Sequence, residues 1–135
     1  MPIGNGLTFE GIYDRLENKV YLYKQKDGVI ELGANGVFGD TLEGVISDAN
    51  LDILRSEMEL LDGAGNPFDL QAIKDGKLSP VFFGSALADF GVTPFLHHFL
   101  EWSPAPGTRK TTTGEVNPND DFFSGFIFKI QANMN

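Results

Sequence analysis

Residues 81–83, Val-Phe-Phe, run directly into Gly84-Ser85-Ala86-Leu87, and this abrupt change from bulky apolar side chains to small ones constrains the fold more than any other stretch. A short continuous apolar run is the pattern of a strand covered on both faces, as in an α/β sheet whose crossover helices exclude water. Gly84 frees the backbone for a sharp turn, and a helix signature follows at Thr93-Pro94. Ligands of such sheets bind just beyond the strand ends. There Ser85 offers a small hydroxyl, and the N–H of Ala86 can point at a carbonyl oxygen, which is how the O6 of a guanine would be read.

The remainder predicts mixed α/β organisation. Residues 9–15 and 19–24 are β-leaning and flank Leu16-Glu17-Asn18, which reads as a hairpin turn. Asp27-Gly28 predicts a second turn and residues 29–32 a third short strand. A helix is expected from Asp48, whose carboxylate would cap it, to about Asp62, with Leu51, Leu54, Met58 and Leu61 as its apolar stripe and Gly63 as its stop. Arg55 and Glu59 lie one turn apart on it and read as a solvated pair. Asn66-Pro67 predicts the cap and first residue of a short helix ending at Gly76. After Thr93-Pro94, the residues Phe95, Leu96, Phe99, Leu100 and Trp102 form a broad apolar face, expected to be core, before Pro104 ends the helix. Residues 108–121 are polar and read as a linker. Residues 122–130 alternate and predict a strand.

Other apparent chemistry resolves into structure. Residues 33–39 are glycine-rich, but no Lys-Ser/Thr follows and no helix opens at once, so a turn or loop is expected rather than a phosphate cradle. His97 and His98 are adjacent on a helix, diverge by roughly 100°, and read as surface histidines rather than joint metal ligands. Ser85 lacks the glycine two residues later that a hydrolase nucleophile elbow uses. Asp48, Asp52, Glu57, Glu59 and Asp62 point to different sides of one helix and form a solvated face.

A formal charge of -9, from 10 basic and 19 acidic residues, argues against direct nucleic-acid binding by this chain, because neutralising phosphates takes clustered Lys and Arg. Cysteine is absent, which excludes disulfides and thiolate metal sites. No apolar run approaches the roughly 20 residues of a membrane helix, and no signal sequence opens the chain.

Several segments together resemble a known family. Pro80-Val81-Phe82-Phe83-Gly84-Ser85-Ala86-Leu87, Phe90-Gly91-Val92 and Trp102-Ser103-Pro104-Ala105-Pro106 are similar to the end of the G domain of ribosome-associated translational GTPases. Pro2-Ile3-Gly4 and Phe9-Glu10-Gly11-Ile12-Tyr13-Asp14 resemble the segment those proteins carry soon after their Asn-Lys-x-Asp motif. Leu100-Glu101-Trp102-Ser103-Pro104-Ala105-Pro106 and Ser124-Gly125-Phe126-Ile127-Phe128-Lys129-Ile130-Gln131-Ala132-Asn133-Met134-Asn135 look most like the bacterial class II peptide chain release factor.

The resemblance implies an α/β fold: the C-terminal portion of a P-loop-type G domain, an incomplete sheet with helices, over residues 1–103. An interdomain linker at 104–121 and the first strand of a truncated translation-factor β-barrel domain at 122–135 would follow. No Gly-x-x-x-x-Gly-Lys-Ser/Thr, Asp-x-x-Gly or Asn-Lys-x-Asp motif is present, so the chain is expected to be a middle piece of the family protein. The whole protein would bind GTP and GDP with Mg²⁺ and hydrolyse GTP to GDP and phosphate. It would act in the cytoplasm on the terminating ribosome, promoting departure of class I release factors. Within this chain the resemblance implies guanine binding by Ser85 and Ala86, with Leu87 as an apolar wall where the wider family often has lysine. It implies no catalytic residue, no metal ligand and no nucleotide binding by the piece alone. An elongation factor G or a ribosome-protection protein would share Gly84-Ser85-Ala86 and the Pro-x-Pro linker, and an acidic interaction module that never touches nucleotide remains a reading from a different class.

Overall fold

Alternating apolar residues on two sides of a tight turn build the first sheet. The computed structural model describes residues 1–24 and 28–132, which divide into two compact units, Met1–Ser103 and Pro104–Asn135. In the first unit, strands β1 (Pro2–Ile3), β2 (Gly11–Asp14), β3 (Lys19–Leu22) and β4 (Val29–Glu31) form an antiparallel sheet in that order. The Asp14 carboxylate accepts N–H bonds from Leu16 and Glu17, at 2.9 and 3.0 Å, and Asn18 takes a positive φ of 56°. Such local bonding by Asp and Asn is what closes tight turns, and it sets the register Ile12 opposite Tyr21 and Tyr13 opposite Val20. Of the expected second turn, Asp27 lies outside the described residues.

Period-two alternation divides the sheet into faces. Ile3, Tyr13, Val20 and Leu22 share one, and it is covered by helix α1 (Asp48–Ala64) through Leu51, Leu54 and Met58. Leu32, Val37, Leu42 and Ile46 complete this core from the connecting segment, where residues 33–39 form a loop that ends in the 3₁₀ turn Gly36–Phe38. The helix differs from expectation at both ends and at Arg55. Ser47 is the cap residue, the helix passes through Gly63, and Gly65 closes it with an N–H bond to the Leu61 carbonyl. Arg55 donates to the carbonyls of Val37 and Gly39, at 2.9 and 3.1 Å, because the glycine-rich loop presents unpaired carbonyls to it, and Glu59 is not its partner.

Helix α2 (Leu70–Lys74) is capped by Asp69, whose carboxylate accepts from Ala72 at 2.9 Å, so Asn66-Pro67 lies before the helix rather than opening it. Helix α3 (Val92–Trp102) begins after Gly91, and Pro94 falls in its first turn, where no intrahelical N–H bond is lost. Only His98 and Trp102 of α3 are buried; Phe95, Leu96, Phe99 and Leu100 are exposed, contrary to the core role expected for that face. Residues 79–83 form no strand either. They have no ladder partner among the described residues, and Val81 and Phe83 are exposed. A strand exists only through its neighbours, so the apolar run by itself does not make one.

In the second unit, the stretch expected as a featureless linker contains a hairpin of β5 (Arg109–Thr111) and β6 (Gly114–Val116), tied by a 2.9 Å bond from the Thr111 hydroxyl to the Gly114 carbonyl. The strand expected at residues 122–130 pairs with nothing among the described residues, and its side chains are exposed. Residues 133–135, the end of the expected barrel segment, lie outside the described residues.

Candidate ligand-binding corner

The Gly84–Gly91 segment is a loop pinched at its base. Ser85 donates its N–H to the Phe90 carbonyl at 2.8 Å, and Phe90 donates back to the Ser85 carbonyl at 3.0 Å. The pinch needs both glycines. A Cβ on Gly84 would lie 2.9 Å from the Phe90 carbonyl oxygen, and one on Gly91, whose φ is +73°, would lie 2.6 Å from the Phe83 carbonyl oxygen. Only a residue without a side chain adopts that conformation at that approach without strain.

Inside the loop, the Ser85 hydroxyl accepts from the Ala88 N–H at 3.3 Å and Asp89 donates to the Ala86 carbonyl at 3.3 Å. The hydroxyl oxygen is thus engaged as an acceptor while its own O–H proton stays free to donate. Ser85, Ala86 and Leu87 are all exposed, Leu87 completely at 100%. Ser85 and Ala88 line an open cleft of about 320 Å³ with Pro2, Gly6, Phe9, Tyr23, Phe83, Gly84 and Phe90; Ala86 and Leu87 stand beside it at the loop tip and are not among its lining residues. The lining holds no carboxylate, imidazole, lysine or arginine side chain. The cleft is lined mainly by aromatic and small apolar residues, with the Ser85 hydroxyl as a hydrogen-bonding group, and it carries no acid, base or nucleophile pair.

Three aromatic residues brace this corner. Phe9, Tyr23 and Phe90 meet edge to face, with centroid separations of 5.2 Å for Phe9 and Tyr23, 5.7 Å for Phe9 and Phe90, and 5.2 Å for Tyr23 and Phe90. The sequence predicts Phe9 and Tyr23 within β-leaning runs and Phe90 at a helix start, and nothing in it joins them; the structure puts Phe9 before β2 and Tyr23 just after β3. The signal present in the chain was that each aromatic residue borders a β-leaning run or a turn.

Two polar clusters hold the elements around the corner. The Glu10 carboxylate accepts from the Ser47 N–H, the Ser47 hydroxyl and the Asn50 side-chain amide, the last at 2.7 Å, and so ties the cap residue and first turn of α1 to another element. Partial burial pushes the Glu10 carboxyl upward, but bonds from Asn50 and Ser47 and the charge of Lys24 outweigh it and hold the group below its ordinary value. His98 corrects the surface expectation. It is 3% exposed, stacks on Trp102 at 4.4 Å and places Nε2 3.3 Å from the Asp14 carboxylate and 3.6 Å from that of Glu17. The physical reason is strand alternation: Asp14 points away from α1, toward the face that α3 reaches. His97 is exposed, and among the described residues no three His, Asp or Glu side chains converge as metal ligands. The sequence contains no Gly-x-x-x-x-Gly-Lys-Ser/Thr stretch. Among the described residues no helix is long and apolar enough to cross a membrane.

No family model matches the chain. Curated relatives do. The chain is 46% identical over 136 residues to peptide chain release factor 3 of Gloeobacter violaceus, a match that covers 98% of this chain and 26% of the relative. It is 44% identical over 137 residues to peptide chain release factor 3 of Lacticaseibacillus casei, covering 99% and 26%. It is 42% identical over 141 residues to peptide chain release factor 3 of Synechococcus elongatus, covering 98% and 24%. The resemblance to the bacterial class II release factor therefore holds over nearly the whole chain, and the chain spans about a quarter of the length of the curated relatives it matches.

Proposed function

We propose that this chain is a stretch of a GTP-binding translation termination factor that promotes release and recycling of class I release factors from the ribosome with GTP hydrolysis. The observation that carries the reading is 42–46% identity to proteins named peptide chain release factor 3, sustained over 98% of this chain. Those relatives do not favour an elongation factor G, a ribosome-protection protein or a nucleotide-independent acidic module. On this reading residues 1–103 are the C-terminal portion of a G domain, 104–121 an interdomain linker and 122–135 the start of a β-barrel domain. The exposed Phe95, Leu96, Phe99 and Leu100 of α3 support that assignment, since a helix face this apolar belongs against another layer.

Ser85 and Ala86 then read the guanine edge from the pinched loop, with Leu87 as a wall beside it. The Ala86 N–H meets O6, and the loop's hydrogen bonds hold it ready before the base arrives. Phosphate positioning, Mg²⁺ and the attacking water belong to parts of the protein other than this chain, and hydrolysis there rests on positioning and electrostatics. The working place is the cytoplasm, and the partners are the ribosome and class I release factors.

The test is a chimera in which this chain replaces the matching quarter of the Gloeobacter violaceus relative. The chimera is expected to bind GDP and GTP in preference to ADP and ATP and to accelerate release-factor recycling on terminated ribosomes. A folded chimera indifferent to the base would overturn the guanine reading, and one that selects guanine but leaves recycling unchanged would overturn the termination reading.

A further inference from the structure

We infer that Phe9, Tyr23 and Phe90 form a positioning device through which the antiparallel sheet sets the orientation of the Ser85–Ala86 turn toward a purine carbonyl. The inference rests on the guanine reading of that turn. Phe90 is the joint. Its backbone makes the two reciprocal bonds with Ser85, while its ring is held edge-on by Phe9 and Tyr23, which flank and end the sheet strands. The peptide between Ser85 and Ala86 carries the N–H proposed to meet the base, so any rotation of Ser85 about its Phe90 bonds redirects that N–H.

The far side of the device is anchored as firmly. Tyr23 donates its N–H to the Glu10 carbonyl at 2.8 Å, Glu10 donates to the Ile3 carbonyl at 2.8 Å, and the Glu10 side chain holds the N-terminus of α1. An unbroken set of contacts thus runs from α1 through Glu10 and the paired rings to Ser85. All three rings line the cleft together with Ser85, so a ligand edge that reaches past Ser85 to the Ala86 N–H at the loop tip would lie beside the rings that hold the turn. Aromatic pairs prefer this edge-to-face geometry over many alternatives, and a leucine in place of one ring fills space without imposing the angle.

The experiment uses the chimera described above and four variants: Tyr23→Leu, Phe9→Leu, Phe90→Leu and Tyr23→Phe. The three leucine variants, each of which removes two of the three ring pairs, are expected to weaken GDP binding by at least about three- to tenfold, the range that a single lost pair implies, while the weak affinity for ADP stays unchanged. Hydrogen exchange at the Ser85 and Phe90 amides should accelerate, and exchange at Leu54, within α1, should not. Tyr23→Phe keeps the ring and should keep both properties. Unaltered GDP affinity in Tyr23→Leu and Phe9→Leu, with Leu54 still protected, would overturn the inference; so would a Tyr23→Phe loss as large as that of Tyr23→Leu, which would make the phenol hydroxyl a direct ligand contact. A starting chimera that does not prefer GDP to ADP would refute the guanine reading instead. The amide exchange of Ser85 and Phe90 would still report whether the rings hold the turn.

Discussion

At the residue scale, the proposed base contact and the Glu10 carboxylate make separable predictions. Ala86→Pro deletes the N–H aimed at O6, so in the chimera GDP and GTP affinity should fall by at least about 1–3 kcal/mol, the cost of leaving a buried hydrogen bond unmade, measured by calorimetry, with ADP affinity nearly unchanged. Glu10→Gln should lower stability by about 1 kcal/mol at neutral pH, the usual scale of a helix cap, reduced by partial solvent screening. The sign with pH follows from the depressed folded-state value of Glu10. Its contribution is fully present above the ordinary carboxylate value and disappears as pH falls through the lower folded value. Urea unfolding from neutral pH into acid should therefore show the two proteins converging; a difference that stays constant would assign the effect to packing.

At the scale of elements, the glycine pinch makes the sharpest case. Gly91→Ala forces a Cβ into a left-handed conformation 2.6 Å from the Phe83 carbonyl oxygen, and the conformational penalty alone is about 1–2 kcal/mol. The variant should unfold at lower urea by more than that penalty, and exchange of the Ser85 amide should rise because the loop base must open. A Cβ on Gly33, by contrast, would meet no atom within 4 Å, so Gly33→Ala should leave stability within about 0.5 kcal/mol. Helix α3 shows how an element can be locally well specified and still bury little: Trp102 packs on His98, Phe82 and Phe68, while the neighbouring Phe99 and Leu100 face solvent.

At the scale of the whole molecule, exposed apolar residues outweigh what an isolated chain tolerates without association. Residues 122–130 carry exposed Phe122, Phe123, Phe126, Ile127, Phe128 and Ile130 and have no ladder partner among the described residues. Sedimentation of the purified chain should show concentration-dependent association that deletion after Pro106 abolishes. Persistence of association in the shortened chain would move its origin to the apolar face of α3. The purified chain should also show no useful GTP affinity by calorimetry, since one or two hydrogen bonds at about 0.5–1.5 kcal/mol each fall short of the roughly 4 kcal/mol of millimolar binding.

The amino-acid sequence by itself determined the local and hydrogen-bond-sufficient parts of this protein. The spacing of Leu51, Leu54 and Met58 specified α1, and the Asp14 to Asn18 turn specified the β2–β3 hairpin, because both satisfy their backbone groups within a short stretch of chain. The order of residues from Leu100 through Pro106 and from Ser124 through Asn135 also carried the likeness to the bacterial class II release factor that the relatives bear out. Tertiary structure decided what depends on partners distant in sequence. It turned residues 79–83 into an unpaired segment, buried His98 against a carboxylate 84 positions away, and made Ser47, tied to Glu10, the cap residue of α1 in place of Asp48. It also gathered Phe9, Tyr23 and Phe90 around one turn, since the angle between rings from three segments is set by how the sheet and loop meet and not by any pattern within a segment.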